Sequence, residues 1–268
     1  MAKDIEEHDR GLDHDLPRLI SRRRAMGVLL GGVGSAVLVA CGGSSEQTTR
    51  GAGTATSAST GTSEIPEETA GPFPGDGSNG PNVLTESGVV RQDITKSFGD
   101  ASGVADGVPT TVTLTLLDVA GGGTPLAGAA VYLWHCDMAG RYSLYDEAIA
   151  GENYLRGLQE SDDAGQVTFK TIFPAAYSGR WPHMHFEVYE SLDAATAAGA
   201  KLRTSQLAIP QAACDRVYAT EGYEQSVQNL AQTSLDGDMV FSDGYAGQLA
   251  TATGGVEDGY VLTLHVGV

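Results

Sequence analysis

The sequence is short of cysteine, histidine and positive charge, and these shortages exclude classes of protein. Only three cysteines occur among 268 residues, and none stands in a Cys-x-x-Cys spacing, so a zinc site built from thiolates is unsupported. Sixteen Lys and Arg residues stand against 34 Asp and Glu residues, which gives a formal net charge of −18. A surface of that sign repels phosphate and no basic stripe offsets it, which argues against nucleic-acid binding.

No apolar run reaches the roughly 20 residues that a membrane-spanning helix needs. The candidate, residues 25–40, is short and glycine-rich, follows Ser21-Arg22-Arg23-Arg24, and leads into Leu38-Val39-Ala40-Cys41. Paired arginines, a short apolar stretch and small residues before a cleavage point are typical of an export signal. The arginine pair resembles a twin-arginine signal, and the last four residues resemble a bacterial lipobox, in which the cysteine becomes the lipidated N-terminus. We therefore predict an export signal over 1–40, with an uncleaved membrane anchor as the alternative.

The segment after Cys41 consists almost wholly of Gly, Ser, Thr and Ala, which predicts a flexible tether over 41–63 and one domain over 64–268. We expect the protein to be exported and to contact the membrane only through a lipid on Cys41. It would lie at the outer face of the bacterial cytoplasmic membrane, or outside the cell. An even pair of cysteines, Cys136 and Cys214, then remains. In an oxidising compartment such a pair suggests a disulfide, with two separately buried thiols as the alternative.

The region 64–268 contains short strand signals separated by turns of Gly, Asp and Ser. Residues 111–119 alternate apolar side chains with threonines, the pattern of a half-buried strand. A loop is expected over 136–165, and short helices are expected within 191–200 and 223–232. Several short strands with turn signals between them indicate an all-β fold, a β-sandwich with long loops and little helix. The other predicted strands are 129–135, 166–172, 184–189, 202–209 and 260–266.

Two of the six histidines form a His-x-His pair, His183 and His185, on a predicted strand. Side chains two residues apart on a strand share a face, so both imidazoles point into one small volume, as metal ligands do. Glu187 is the only carboxylate in the immediate segment, which argues against a two-His-one-carboxylate iron(II) site. The remaining hard donors are tyrosines, and a phenol ionises only beside a strongly polarising cation. Iron(III) is the obvious physiological choice.

Three segments resemble the intradiol ring-cleavage dioxygenases, the group of catechol, protocatechuate and hydroxyquinol dioxygenases. The first is 134–143, which contains the Gly-x-Tyr pattern of Gly140 and Tyr142. The second is 165–177, and the third is the Arg-x-x-His-x-His segment over 180–186. Residues 68–73 also resemble the entry segment that lies near the pocket in that family.

The resemblance implies a non-haem iron(III) centre bound by Tyr142, Tyr177, His183 and His185, in which Tyr177 is the labile ligand that leaves when substrate binds. It implies that Arg180 lies beside the bound ring and stabilises negative charge that develops there. Tyr177 and Arg180 therefore have the catalytic roles. The implied reaction cleaves a small catechol-type aromatic diol with O2 between its two hydroxyl-bearing carbons and gives a cis,cis-muconate-type diacid.

Other interpretations stay open at this stage. His135 is interpreted as a core or supporting histidine, and Glu187 as a residue that orients a ligand without binding the metal. Residues 125–131 resemble transthyretin-like sandwiches, so a catalytically inactive surface binding module is one alternative. A lipoprotein that binds a metal other than iron is another. The sequence does not choose among catechols, and it leaves open whether the protein forms a homo-oligomer.

Overall fold

The computed structural model describes residues 63–268. The predicted export signal over 1–40, the predicted lipid attachment at Cys41 and nearly all of the predicted tether over 41–63 lie outside the described residues. Among residues 63–268, no helix is long and apolar enough to cross a membrane.

The described residues form two packed β-sheets. In the first sheet, β1 pairs antiparallel with β2 and β5 and parallel with β9, and β8 lies at the far edge beside β9. The second sheet has the order β4-β3-β6-β7 and is antiparallel throughout. The strands are β1 (Pro109–Asp118), β2 (Thr124–Pro125), β3 (Ala130–Trp134), β4 (Arg156–Glu160), β5 (Gln166–Ile172), β6 (His183–Tyr189), β7 (Lys201–Ala208), β8 (Thr251–Gly255) and β9 (Gly259–Gly267).

The main core lies between the two sheets and is built by alternating strand residues. In β1 the apolar residues Val112, Leu114 and Leu116 are fully buried, whereas the threonines between them are half-buried. In β6 the side chains of Met184, Phe186 and Val188 enter this same core. Because neighbouring residues of a strand point to opposite faces, the histidines of β6 project from the outer face of the second sheet. Loops cover that face and bury it as well.

Helix is scarce among residues 63–268, as predicted. The helices are α1 (Leu192–Thr196), α2 (Gln211–Val217) and α3 (Glu224–Leu230), with short 3-10 turns at Leu235–Gly237 and Phe241–Asp243. The predicted β-sandwich is confirmed, the six predicted strands are present with ends shifted by at most two residues, and the two predicted helical regions contain α1 and α3.

The predicted continuous loop over 136–165 is wrong, because β4 forms the edge of the second sheet there. Its sequence has no strict alternation, and Gly157 interrupts it, so no strand pattern is visible. The glycine is needed structurally: a Cβ at Gly157 would collide with the side chain of Ile94, which packs against this edge. Because Ile94 packs closely on β4, only glycine fits at position 157, and glycine is a residue that does not indicate a strand in the sequence.

Candidate metal centre

The two histidines of β6 converge, as the spacing predicts. Their Nε2 atoms lie 3.1 Å apart, and both side chains are buried. The Nδ1 atom of His183 lies 2.5 Å from the carbonyl oxygen of Trp181. Since only a protonated Nδ1 can donate to that carbonyl, the lone pair of His183 is on Nε2, which faces His185. The ring of His185 stacks on Trp134, with centroids 5.0 Å apart and planes 7° apart, which fixes its orientation.

Two tyrosines complete the cluster. The Tyr177 hydroxyl lies 3.0 Å from His183 Nε2 and 3.4 Å from the Tyr142 hydroxyl. Tyr142 is on the loop after β3, where Gly140 has a φ of +83°. A Cβ at Gly140 would lie only 3.2 Å from the Cβ of Tyr177, so the glycine permits both the turn and the close approach of the second tyrosine. Asp137 accepts hydrogen bonds from two backbone N–H groups of the same loop and stabilises it.

The electrostatics of this cluster suit a trivalent cation. Burial, together with Tyr177, raises the pKa of Tyr142 well above its ordinary value, and burial raises the pKa of Tyr177 to about 12. Burial, with nearby positive charge, holds the pKa values of His183 and His185 well below the ordinary value. The imidazoles are therefore neutral and offer lone pairs, whereas the phenols ionise only beside a strongly polarising cation.

The residues present fit such an ion. First-row metal ions bind imidazole nitrogen at about 2.0 to 2.1 Å, so two neighbouring ligands of one ion lie about 3 Å apart, the separation seen between these donors. Among residues 63–268, no cluster of three or more His, Cys, Asp or Glu side chains could hold a metal. The donors that converge at this position are two imidazole nitrogens and two phenol oxygens, and hard phenolate oxygen beside imidazole is a set that fits iron(III).

Arg180 lies beside the cluster and is held rigidly. Its Nη1 is 3.4 Å from His183 Nε2, its Nε donates to Asp238 at 2.9 Å, and its Nη2 donates to Gln206 at 2.7 Å. Asp238 also accepts a hydrogen bond from the backbone N–H of Trp181 at 2.7 Å. Sequence reasoning missed Asp238 and Gln206, because neither stands in a motif and both meet Arg180 only through the fold.

The predicted entry segment lies beside the cluster. Gly71 passes so close to His185 that a Cβ there would be 3.4 Å from the ring. The Phe73 ring packs on Tyr142, with centroids 5.0 Å apart. Gln206 donates to the carbonyl oxygen of Thr69 at 2.9 Å, so the residue that holds Arg180 also holds this segment.

Three further predictions concern residues outside the cluster. His135 is buried with both ring nitrogens near protein groups, Nδ1 2.8 Å from the Cys136 carbonyl and Nε2 2.7 Å from the Thr171 hydroxyl, as expected of a supporting residue. Glu187 is buried against Tyr189 and Lys201, and it neither joins the cluster nor orients a histidine. The suggested disulfide is wrong, because Cys136 and Cys214 are both free, buried thiols.

Part of the chain is similar to known dioxygenases. Residues 79–209, which contain all four clustered side chains, match the family model described as Dioxygenase. A stretch of 56 residues is 36% identical to catechol 1,2-dioxygenase 2 from Acinetobacter lwoffii, and one of 55 residues is 34% identical to chlorocatechol 1,2-dioxygenase from Rhodococcus opacus. These stretches cover 21% and 20% of this chain, and they span only 20% and 21% of the length of the two relatives.

The fold is shared with an intradiol ring-cleavage dioxygenase from Tetranychus urticae. The two structures superpose with a TM-score of 0.59 at 23% sequence identity, over 77% of this chain and 94% of the other. The matched segment and the fold together confirm the resemblance seen in the sequence. The segment that matches the dioxygenase family model makes up just under half of the chain (131 of 268 residues). The described residues have the fold of the intradiol ring-cleavage dioxygenases.

Proposed function

We propose that the protein cleaves a catechol-type aromatic ring with O2 between the two hydroxyl-bearing carbons, giving a cis,cis-muconate-type diacid. The proposed cofactor is non-haem iron(III), bound by Tyr142, Tyr177, His183 and His185. The observation that carries the proposal is that these four donor atoms lie in one continuous chain of contacts, in which successive atoms are 3.4, 3.0 and 3.1 Å apart. A surface binding module has no need of such a cluster, and an inactive relative has no need of the buried guanidinium beside it.

Iron(III), when bound, would draw electron density from a chelating catecholate and supply the redox chemistry for its reaction with O2. The protein positions the ligands and the substrate. Tyr177 is the half-buried member of the cluster, whereas Tyr142, His183 and His185 are buried. Tyr177 is therefore the ligand that an entering diol can displace. Its Oη can take the proton released by a substrate hydroxyl and keep a hydrogen-bonding position beside Tyr142.

Arg180 supplies charge stabilisation. Asp238 and Gln206 hold two sides of its guanidinium, which leaves Nη1 directed toward the ligand cluster. A planar cation fixed in advance can stabilise negative charge that spreads into the ring without reorganising during the reaction. Because its charge is already paired with Asp238, Arg180 is a poor receptor for a substrate carboxylate. Catechols without a carboxylate are therefore the proposed substrates.

The proposal is tested by measuring O2 uptake and product absorbance with iron-loaded protein and a panel of catechols, including a carboxylated one. We expect one O2 consumed per diol and the ultraviolet absorbance of a muconate. Absence of O2 uptake with every diol would favour the inactive binding module. Unaltered metal affinity in a Tyr142→Phe, Tyr177→Phe variant would instead favour a metal-binding protein that uses the histidines alone.

We also propose that the protein is exported and anchored by a lipid on Cys41. The support is the sequence alone: Ser21-Arg22-Arg23-Arg24, the short apolar run and Leu38-Val39-Ala40 before Cys41. The full chain should partition into the membrane fraction of a bacterial host, and the Cys41→Ala variant should lose the lipid. A variant that partitions like the wild type would support the uncleaved anchor instead.

A further inference from the structure

Four buried side chains form a continuous row across the outer face of the second sheet. Trp134 of β3 stands directly opposite Arg156 of β4 on one side and His185 of β6 on the other, and His185 stands opposite Gln206 of β7. Directly opposed residues of neighbouring strands point to the same face and lie in contact. All four side chains are buried. One end of the row holds Arg180 through Gln206, and the other end is Arg156.

The Arg156 guanidinium donates four hydrogen bonds, all to neutral oxygen atoms. Nε donates to the Ser143 hydroxyl at 3.0 Å, and Nη2 donates to the Ser143 carbonyl at 2.9 Å. Nη1 donates to the Pro74 carbonyl at 2.8 Å and to the Tyr132 hydroxyl at 3.2 Å. Burying a guanidinium is costly, and this one sits among hydrogen bonds that only its planar, forked shape can make together. The arrangement indicates a geometric requirement at this position.

The hydrogen bonds of Arg156 reach two segments that contact the proposed iron ligand Tyr142. Ser143 directly follows Tyr142, and Arg156 holds its backbone and its side chain. Arg156 also donates to the carbonyl oxygen of Pro74, which directly follows Phe73. The Phe73 ring packs on the Tyr142 ring, with centroids 5.0 Å apart. One guanidinium therefore connects the segment that carries the ligand with the segment that packs against it.

We propose that Arg156 is a positioning residue of the iron site. It fixes the position of Tyr142 through Ser143, and the position of the Phe73 ring through Pro74. The hydrogen bonds of Arg156 go to Ser143, Pro74 and Tyr132 and to none of the four proposed ligands, so it acts through these segments. The inference rests on the proposed iron site and extends it to a residue of β4 that has no part in the ligand set.

The test compares Arg156→Lys with wild type, because lysine keeps the charge but cannot span the four acceptors. We expect the metal-free variant to stay folded by circular dichroism, to bind iron(III) about tenfold more weakly in competition with a chelator, and to shift the visible tyrosinate-to-iron band. Arg203→Lys is the matched control. Arg203 is a half-buried arginine of β7 in the same sheet, and it pairs with Glu64 and Glu67 instead of Ser143 and Pro74.

Wild-type iron affinity and an unshifted band in Arg156→Lys would overturn the inference, as would an equal loss of iron affinity in Arg203→Lys. If Arg156→Lys does not fold, Ser143→Ala decides, because it removes one acceptor beside Tyr142 at little cost in volume; an unchanged band in that variant would overturn the inference. The failure of the underlying iron site has a different signature. Wild-type protein would then show no visible band at all.

Discussion

Asp238 holds Arg180 from a distant part of the chain, accepting a hydrogen bond from its Nε at 2.9 Å in a pair that is almost fully buried. Asp238 also accepts the backbone N–H of Trp181, so one carboxylate fixes both the side chain and the turn that leads into the histidine strand. The orientation of the proposed charge-stabilising residue is therefore set before substrate arrives. Such preorganisation is the property that makes a buried charge useful in catalysis.

Replacing Arg180 with Ala should leave iron bound and lower kcat by about 10²- to 10³-fold, because the residue stabilises developing charge and does not bind the metal. Asp238→Asn should also keep its iron, and it should lower kcat on the order of 10- to 100-fold by loosening Arg180. The measurements are iron content and steady-state kinetics. Asp76→Asn is the matched control, since Asp76 is a buried carboxylate paired with Lys201 instead of Arg180. Wild-type kcat in Arg180→Ala would remove the residue from the mechanism.

Replacing His183 or His185 with Ala should remove most of the bound iron, because each imidazole supplies a direct bond to the metal. Metal analysis of the purified variants measures this. His135→Gln serves as the control, because His135 is a buried histidine whose two ring nitrogens already have protein partners. It should keep its iron. Full occupancy in either alanine variant, or an equal loss in the control, would count against the ligand assignment.

Removing the hydroxyl of Tyr142 or Tyr177 by substitution with Phe should abolish or shift the visible tyrosinate-to-iron band of the loaded protein. The band arises from phenolate bound to the metal, and each substitution deletes one phenolate. Tyr145→Phe is the matched control in the same loop, because its hydroxyl bonds to Gly75 and Asn79 and lies outside the cluster. The absorption spectrum of each variant at equal iron content is the measurement. A band that is identical in all three variants would contradict phenolate ligation.

His135 should make the metal-free protein less stable in acid. Burial lowers the pKa of His135 to about 4, whereas an unfolded histidine titrates near 6.5, so between these values the unfolded state binds the proton and the folded state does not. The stability contributed by the neutral ring is present above pH 6.5 and is lost as pH falls toward 4, on the order of 2 kcal/mol at pH 5.

Urea unfolding of the metal-free protein at pH 7 and pH 5 measures this dependence. The His135→Gln variant carries no titrating group at the position, so its stability should fall less between the two pH values than that of wild type. Equal slopes for the two proteins would show that the ring is not held neutral by burial.

Part of the site could be predicted from periodicity, because the alternation of β6 places His183 and His185 on one face. The tyrosines Tyr142 and Tyr177 are predicted from the resemblance of their segments to the intradiol ring-cleavage dioxygenases. The supporting residues could not be predicted in this way. Asp238 stands in a stretch without strand or helix periodicity, and it reaches Arg180 only when the chain after α3 folds back over the sheet.

The second sheet shows the same limit. Arg156 begins a strand whose sequence lacks alternation because both of its faces are covered, one by the core and one by loops. Arginine is usually exposed, so the sequence gives no sign that Arg156 is buried. In the structure its guanidinium is buried and bonded to Ser143 and Pro74. Strand signals based on alternation detect half-exposed strands such as β1 and miss a short strand of this kind.

The most direct test of the account is the visible spectrum of purified, iron-loaded protein, recorded before and after adding catechol without oxygen. We predict a red-brown protein whose band shifts when catechol is added, because tyrosinate-bound iron(III) with an exchangeable ligand would chelate the diol. A protein that stays colourless after reconstitution with iron(III) would contradict the phenolate site and with it the proposed reaction.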